Sequence, residues 1–165
     1  MVVMSLREYI LRRLPDRDSL RGSFLHRVFG KHILGKELWH VDARSLAGGL
    51  SIGLFIAFTP TIPLQMILAF LAARSFRVNL PAALLACWVT NPVTAVPIYM
   101  MAWELGRFVL HALPFAKSYL AVYDETRQTG LIVSSCYLWT GSIILGATAA
   151  GMSNVLLRWL WKEAH

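Results

Sequence analysis

FTPTIPLQ (Phe58–Gln65) and CWVTNPVTAVP (Cys87–Pro97) each interrupt an apolar run with prolines, threonines and an amide side chain. Proline lacks a backbone N–H and its ring clashes with the preceding turn, so a regular helix cannot run through either stretch. The runs themselves are long. No Asp, Glu, Lys, Arg or His occurs from Ser45 to Ala73, from Val78 to Trp103, or from Gln128 to Leu157. Each exceeds the ~20 apolar residues that cross a bilayer core of ~30 Å. The whole chain of 165 residues is 56% hydrophobic and 15% charged, where a soluble domain carries about 25% charged residues. Three such runs leave too little polar sequence to coat a soluble core. The expected fold class is therefore an all-α, polytopic integral membrane protein with proline-broken helices.

The chain divides into a basic N-terminal segment, 1–44, and a membrane domain, 45–165. Residues 1–44 hold nine of the sixteen Lys and Arg residues against five acids. Their apolar side chains recur at helical spacing (Leu6, Tyr9, Ile10 and Leu14, then Leu25, Val28, Phe29 and Ile33), the pattern of amphipathic helices lying in a lipid interface. A soluble, partner-binding helix pair has the same pattern. Within the membrane domain, segment 45–73 would be ~43 Å long as one straight helix, and its break falls near the middle. Its halves are too short to span alone. Arg44 flanks one end, with Arg74 and Arg77 at the other. A re-entrant hairpin with both ends in the cytoplasm satisfies these lengths and charges, and a single kinked span is the competing arrangement. Segment 78–110 repeats the theme around Asn91-Pro92. A polar segment, 111–129, leads to a final proline-free span, 130–157, with a small-residue stripe of Ser142, Gly146, Ala149 and Ser153. Every count of basic loops places the N-terminus in the cytoplasm.

The breaks are also the candidate site. Thr or Asn followed by Pro can end one half-helix and start the next, with Thr59 or Asn91 as N-cap and Pro60 or Pro92 in the first turn. Helix N-termini favour anions, and broken helices inside lipid occur where protein or a polar cavity meets their loose backbone groups. Thr61, Gln65, Thr94 and Tyr99 lie near in sequence and supply hydrogen-bonding groups. The plainer reading is that these residues only terminate helices at tight turns. Glu104 and Arg107 sit i,i+3 on one helix face, spaced to pair with each other, while Gly49 and Gly53 allow close helix approach. The sequence has no phosphate-binding glycine loop, nucleophile elbow, zinc-protease motif or Cys/His metal spacing, so no enzyme activity, cofactor or metal is expected. Cys87 and Cys136 read as small hydrophobes. The net charge of +7 fits contact with anionic cytoplasmic lipid and is not read as a nucleic-acid signal.

LWHVDARSLAGGLSIGLFIAFTPTIPLQM and FRVNLPAALLACWVTNPVTAVPIYMMAWELG together resemble the bacterial membrane family called domain of unknown function 2062. The resemblance spans roughly residues 38 to 110. It rests on Arg44, Ser45, Gly53, Pro60 or Pro63, Gln65, Met66, Arg77, Asn79, Pro81, Asn91, Pro92, Thr94, Pro97 and Tyr99. It implies a bacterial inner-membrane protein and adds Arg77 and Asn79 to the site candidates. Relatives with a glycosyltransferase domain on the same chain connect the resemblance to envelope or lipid-linked sugar chemistry, an association and not a mechanism. Two functional expectations follow. One is recognition or translocation of an anionic lipid head group, such as an isoprenoid phosphate, or of a small anion, at the broken helices. The other is a non-transporting scaffold, as a homo-oligomer or as accessory subunit to an envelope glycosyltransferase or related enzyme.

Overall fold

The computed structural model describes residues 36–114 and 130–163, together with the single residues Arg27 and Ala116. The amphipathic pattern expected before residue 36 and most of the polar segment 111–129 lie outside the described residues. Those described are all helical, without strands. A 3-10 turn, Lys36–Leu38, precedes α1 (Ala43–Phe58), α2 (Gln65–Phe76), α3 (Leu80–Cys87), α4 (Ala95–Ala112) and α5 (Gly130–Glu163). Among them α5 alone is both long and apolar enough to cross a membrane.

Local chemistry sets each boundary. Asp42 caps α1, its carboxylate accepting the Ser45 N–H at 2.9 Å. At the other end Thr59 is the C-cap, with its N–H and its hydroxyl both donating to Ile56 O. This corrects the expectation that Thr59 starts the following helix. Pro60 has no N–H with which to extend α1, and the chain turns through Thr61–Leu64 before α2 begins at Gln65. Helix α2 closes on Arg77 in the left-handed region (φ 52°), an uncommon conformation for a residue with a Cβ. Val78 N–H reaches Ala73 O and Arg77 N–H reaches Arg74 O, the two bonds of a Schellman close. Asn79 then caps α3 through the Ala82 N–H at 2.9 Å, with Pro81 in the first turn.

Helices α1 and α2 form a hairpin, because the chain after α2 returns to the start of α1. There Asn79 N–H donates to Ser45 O at 3.1 Å and Asn79 Nδ2 to His40 O at 2.7 Å. From that point α3 runs beside α1 in the same direction. Gly49 faces the Asn79 carbonyl, Gly53 faces the Ala83 carbonyl, and a Cβ on either glycine would overlap that oxygen. Cys87 Sγ donates to Gly53 O at 3.4 Å, and Thr90 Oγ1 to Ala57 O at 2.6 Å. The Gly49/Gly53 pair thus brings two helices together within one chain. The buried core lies here, around Leu38, Phe70, Leu80, Ala83 and Cys87.

The long helix α5 ties the halves together. Its C-terminal part lies antiparallel to α1, where Ser51 Oγ donates to Ala150 O at 2.9 Å and Asn154 Nδ2 to Ser51 Oγ at 3.1 Å. Gly146 seats against Phe55 and Phe58. The N-terminal part of α5 lies against α4, with Gly141 on the Ala102 carbonyl and Gly106 on the Tyr137 carbonyl. So α1 and α4 lie end to end along one 34-residue helix, which is ~51 Å long. Ser142 and Gly146 of the expected stripe are buried, and Ala149 and Ser153 are half-buried.

These contacts predict opposite outcomes for two glycines of α5. Gly141→Ala drives a methyl into the Ala102 carbonyl and should destabilise the protein by about 1–3 kcal/mol, the usual cost of overpacking. At Gly151 nothing lies within 4 Å of an added Cβ, so Gly151→Ala should be neutral or stabilising by up to about 1 kcal/mol. Thermal melting in detergent checks the pair.

Candidate functional site

Both helix breaks arrive at the same level of the fold, because α1 and α3 are parallel and in register. Their loose backbone groups are satisfied mainly by one another. Gln65 Nε2 donates to Thr90 O at 3.2 Å across the two breaks, and Thr90 Oγ1 donates to Ala57 O at the end of α1. Tyr99, one turn into α4, donates its hydroxyl to Thr59 O at 3.0 Å. Thr61 Oγ1 lies 3.3 Å from Thr59 Oγ1. The expected residues Thr59, Pro60, Thr61, Gln65, Asn91, Pro92, Thr94 and Tyr99 are therefore brought to one junction.

Asn91 forms a turn ahead of α4, whose N-cap is Thr94 without a side-chain cap bond. This corrects the expectation that Asn91 caps this helix with Pro92 in its first turn. Asn91 Oδ1 accepts from Val93 N–H at 2.9 Å and Thr94 N–H at 3.2 Å, and its carbonyl accepts from Ala95 N–H. Thr94 Oγ1 accepts from Asn91 N–H at 3.0 Å and donates to Val89 O at 2.6 Å. The Val93, Thr94 and Ala95 N–H groups are thus bonded to Asn91 oxygens. One buried atom at the junction is left over: Gln65 Oε1 has no hydrogen-bond partner. The Thr90 carbonyl fixes the amide's orientation, since a flipped amide would set oxygen against oxygen. The open valence is consequently that of an acceptor. Ser142, fully buried on α5 between the Gly141 and Gly146 contacts, also has an unpartnered Oγ.

The remaining candidates lie elsewhere. Arg77 and Asn79 sit at the far end of the hairpin beside Asp42 and Ser45, where Asn79 is fully buried and joins α3 to His40 and Ser45. Glu104 and Arg107 form a third location on α4. They pair at 3.7 Å with both side chains more than half exposed, and Arg107 lies 5.6 Å from the Trp103 ring centroid. An exposed pair of this kind contributes little to stability. It borders a cavity of about 530 Å³ with Phe108 and His111, and His111 Nε2 lies 2.9 Å from Tyr137 OH. No group of His, Cys, Asp and Glu among the described residues is arranged to hold a metal.

Sequence reasoning passed over Thr90, which joins the breaks, and the Ser51–Asn154 bridge. Each is a polar residue within an otherwise apolar run, Thr90 directly before Asn91 and Asn154 directly after Ser153, and that placement was the available signal. Their partners lie 33 and 103 residues away, beyond any local pattern.

Residues 26–165 match the family described as "Uncharacterized protein conserved in bacteria (DUF2062)", and the chain belongs to that family. No curated protein and no solved structure matches it.

If Thr90 is the tie between the breaks, Thr90→Val should lower stability by about 1–3 kcal/mol by leaving the Ala57 carbonyl without its donor. Thr90→Ser should retain most of it. Equal melting temperatures for the two variants in detergent would remove Thr90 from this role.

Proposed function

We propose that this chain is a multi-pass protein of the bacterial cytoplasmic membrane that takes the polar head group of an anionic lipid to the junction of its broken helices. In this reading α1–α2 is a re-entrant hairpin, α3 and α4 form one interrupted span, and α5 is a continuous span. The N-terminus faces the cytoplasm, in keeping with the basic segment 1–44.

Exposed apolar surface supports the lipid setting. Phe76, Val93, Phe108, Leu131 and Val155 are each at least 70% exposed, a density of outward apolar side chains that marks contact with lipid or protein. The observation that carries the functional part is the meeting of two helix breaks around Gln65, with one buried acceptor unfilled. Paired breaks are where membrane transporters hold their substrates. An acceptor at such a place calls for a donor. A lipid phosphate monoester in its protonated form, or a head group bearing hydroxyls, supplies one alongside its negative charge. An isoprenoid phosphate belongs to the first kind.

The alternative is a non-transporting scaffold that holds a second copy or an envelope enzyme. It draws on the open surroundings of Gly151 on α5, where a partner helix has room for close approach.

Translocation of a fluorescent phospholipid in proteoliposomes distinguishes the two. Wild type should move the lipid between leaflets faster than empty liposomes, and Gln65→Leu should reduce the excess rate about tenfold, the equivalent of ~1.4 kcal/mol on the barrier. Lys162→Ala, at the far end of α5, should leave the rate unchanged. A wild-type rate equal to that of empty liposomes would leave the scaffold reading.

A further inference from the structure

A second polar site lies at the mouth of the hairpin, at the opposite end from the junction. A cavity of about 330 Å³ opens there between the start of α1 and the α2–α3 turn, lined by His40, Asp42, Arg44, Ser45, Phe76 and Arg77. Two arginines against one aspartate give its lining residues a net positive charge. The carboxylate is engaged by the Ser45 N–H, whereas neither arginine has an ion-pair partner among the described residues. Arg77 is held in place by the Schellman close of α2, which fixes its backbone in the left-handed region.

The floor of this cavity carries a group that points to a ligand. Ser45 is only 6% exposed and its Oγ has no hydrogen-bond partner. Ser45 is the third residue of α1, ahead of which there is no helical turn for its hydroxyl to bond back to, as Ser51 does to Ala47 O. A buried hydroxyl without a partner, in a cavity lined by two arginines that have no ion-pair partner among the described residues, matches a phosphate, whose oxygens accept from all three.

The wall also has an apolar side. Phe76, 71% exposed, borders both this cavity and a groove of about 540 Å³ between α1, α2 and α5, whose walls include Ile52, Phe55, Ile56, Leu68 and Ala72 and which ends at Thr59. Some 21 Å of α1 separates Ser45 from Thr59, room for a long hydrocarbon chain. A cationic mouth opening directly into an apolar groove has the polarity of a single lipid.

We infer that this is a binding site for one phosphate-bearing lipid. Arg44, Arg77 and Ser45 Oγ hold the phosphate, and the groove from Phe76 to Thr59 takes one chain. The site rests on the lipid-facing reading of the hairpin but not on the junction at Gln65, from which it is separate.

Binding to the purified full chain in neutral detergent, followed by native mass spectrometry, tests this with three probes. These are phosphatidic acid, the diacylglycerol of the same chains, and glycerol 3-phosphate. Wild type should retain phosphatidic acid above both others. Arg44→Gln with Arg77→Asn removes both charges while keeping a residue tolerant of the left-handed conformation. That double variant should lose about tenfold or more in affinity for phosphatidic acid and nothing for diacylglycerol. The lysine pair Arg44→Lys with Arg77→Lys should restore most of the binding, which separates lost charge from lost fold. Ala72→Phe, which fills the groove, should weaken both lipids, and Arg158→Gln neither. Gln65→Leu should bind phosphatidic acid as wild type does. Full retention by the double variant together with loss on Gln65→Leu would move the lipid to the junction and overturn the mouth assignment. Unchanged retention by the double variant would also overturn it. Glycerol 3-phosphate bound as tightly as phosphatidic acid would make this a site for free phosphates and overturn the lipid assignment.

Discussion

Every feature of this fold depends on one constraint, that the backbone groups released where a helix stops must find partners inside the protein. A carbonyl freed at the end of a helix loses its donor, and in an apolar setting water does not replace it. Here Ala57, Thr59 and Thr90 are the released carbonyls. Their donors are Thr90 Oγ1, Tyr99 OH and Gln65 Nε2, in that order. The two breaks therefore complete each other, and neither turn would be stable in an apolar setting without its neighbour. The parallel register of α1 and α3 is what makes this meeting possible. That register rests in turn on Gly49 and Gly53, where any side chain would push the helices apart.

The same constraint limits what the junction can offer a ligand. Just ahead of α4 the Val93 and Thr94 N–H groups are occupied by Asn91 Oδ1, and the Ala95 N–H by the Asn91 carbonyl, so the turn uses up donors that would otherwise attract an anion. Arginines without an ion-pair partner among the described residues lie instead at the hairpin mouth, and the acceptor without a partner lies at Gln65. On the proposed reading the two ends of the hairpin have complementary chemistry. One is suited to a phosphate at the membrane surface, the other to a hydrogen-bond donor deeper in. The groove between them is apolar, as a path for a lipid chain requires.

Much of this was legible in the residues. The break positions followed from proline chemistry, and the pairing of the two halves of the first broken segment as a helical hairpin was readable from the break between them, while its re-entrant placement belongs to the proposed function. The close approach at Gly49 and Gly53 and the buried face at Ser142 and Gly146 were readable from small-residue spacing. The Glu104–Arg107 pair followed from its i,i+3 spacing. Thr59 was misassigned because Thr-Pro is compatible with either end of a helix, and what decides is whether the hydroxyl bonds backward to Ile56 O or forward. The Thr90–Ala57 and Ser51–Asn154 bonds were out of reach, since local periodicity carries no information about which distant carbonyl a lone hydroxyl will meet. Ser45 lay at the edge of an apolar run and acquired meaning only when folding brought Arg77 beside it.

The central claim is that α1 and α2 enter and leave on one side of the membrane while α4 crosses to the other. Single cysteines at Asp42, Arg74 and Leu113, in a chain with Cys87 and Cys136 replaced by alanine, test it by reaction with a membrane-impermeant maleimide in intact and opened cells. The account predicts that Asp42→Cys and Arg74→Cys react only after the cells are opened, and that Leu113→Cys reacts in intact cells. Reaction of Arg74→Cys in intact cells, with Asp42→Cys still protected, would make the first broken segment a simple span and contradict the hairpin.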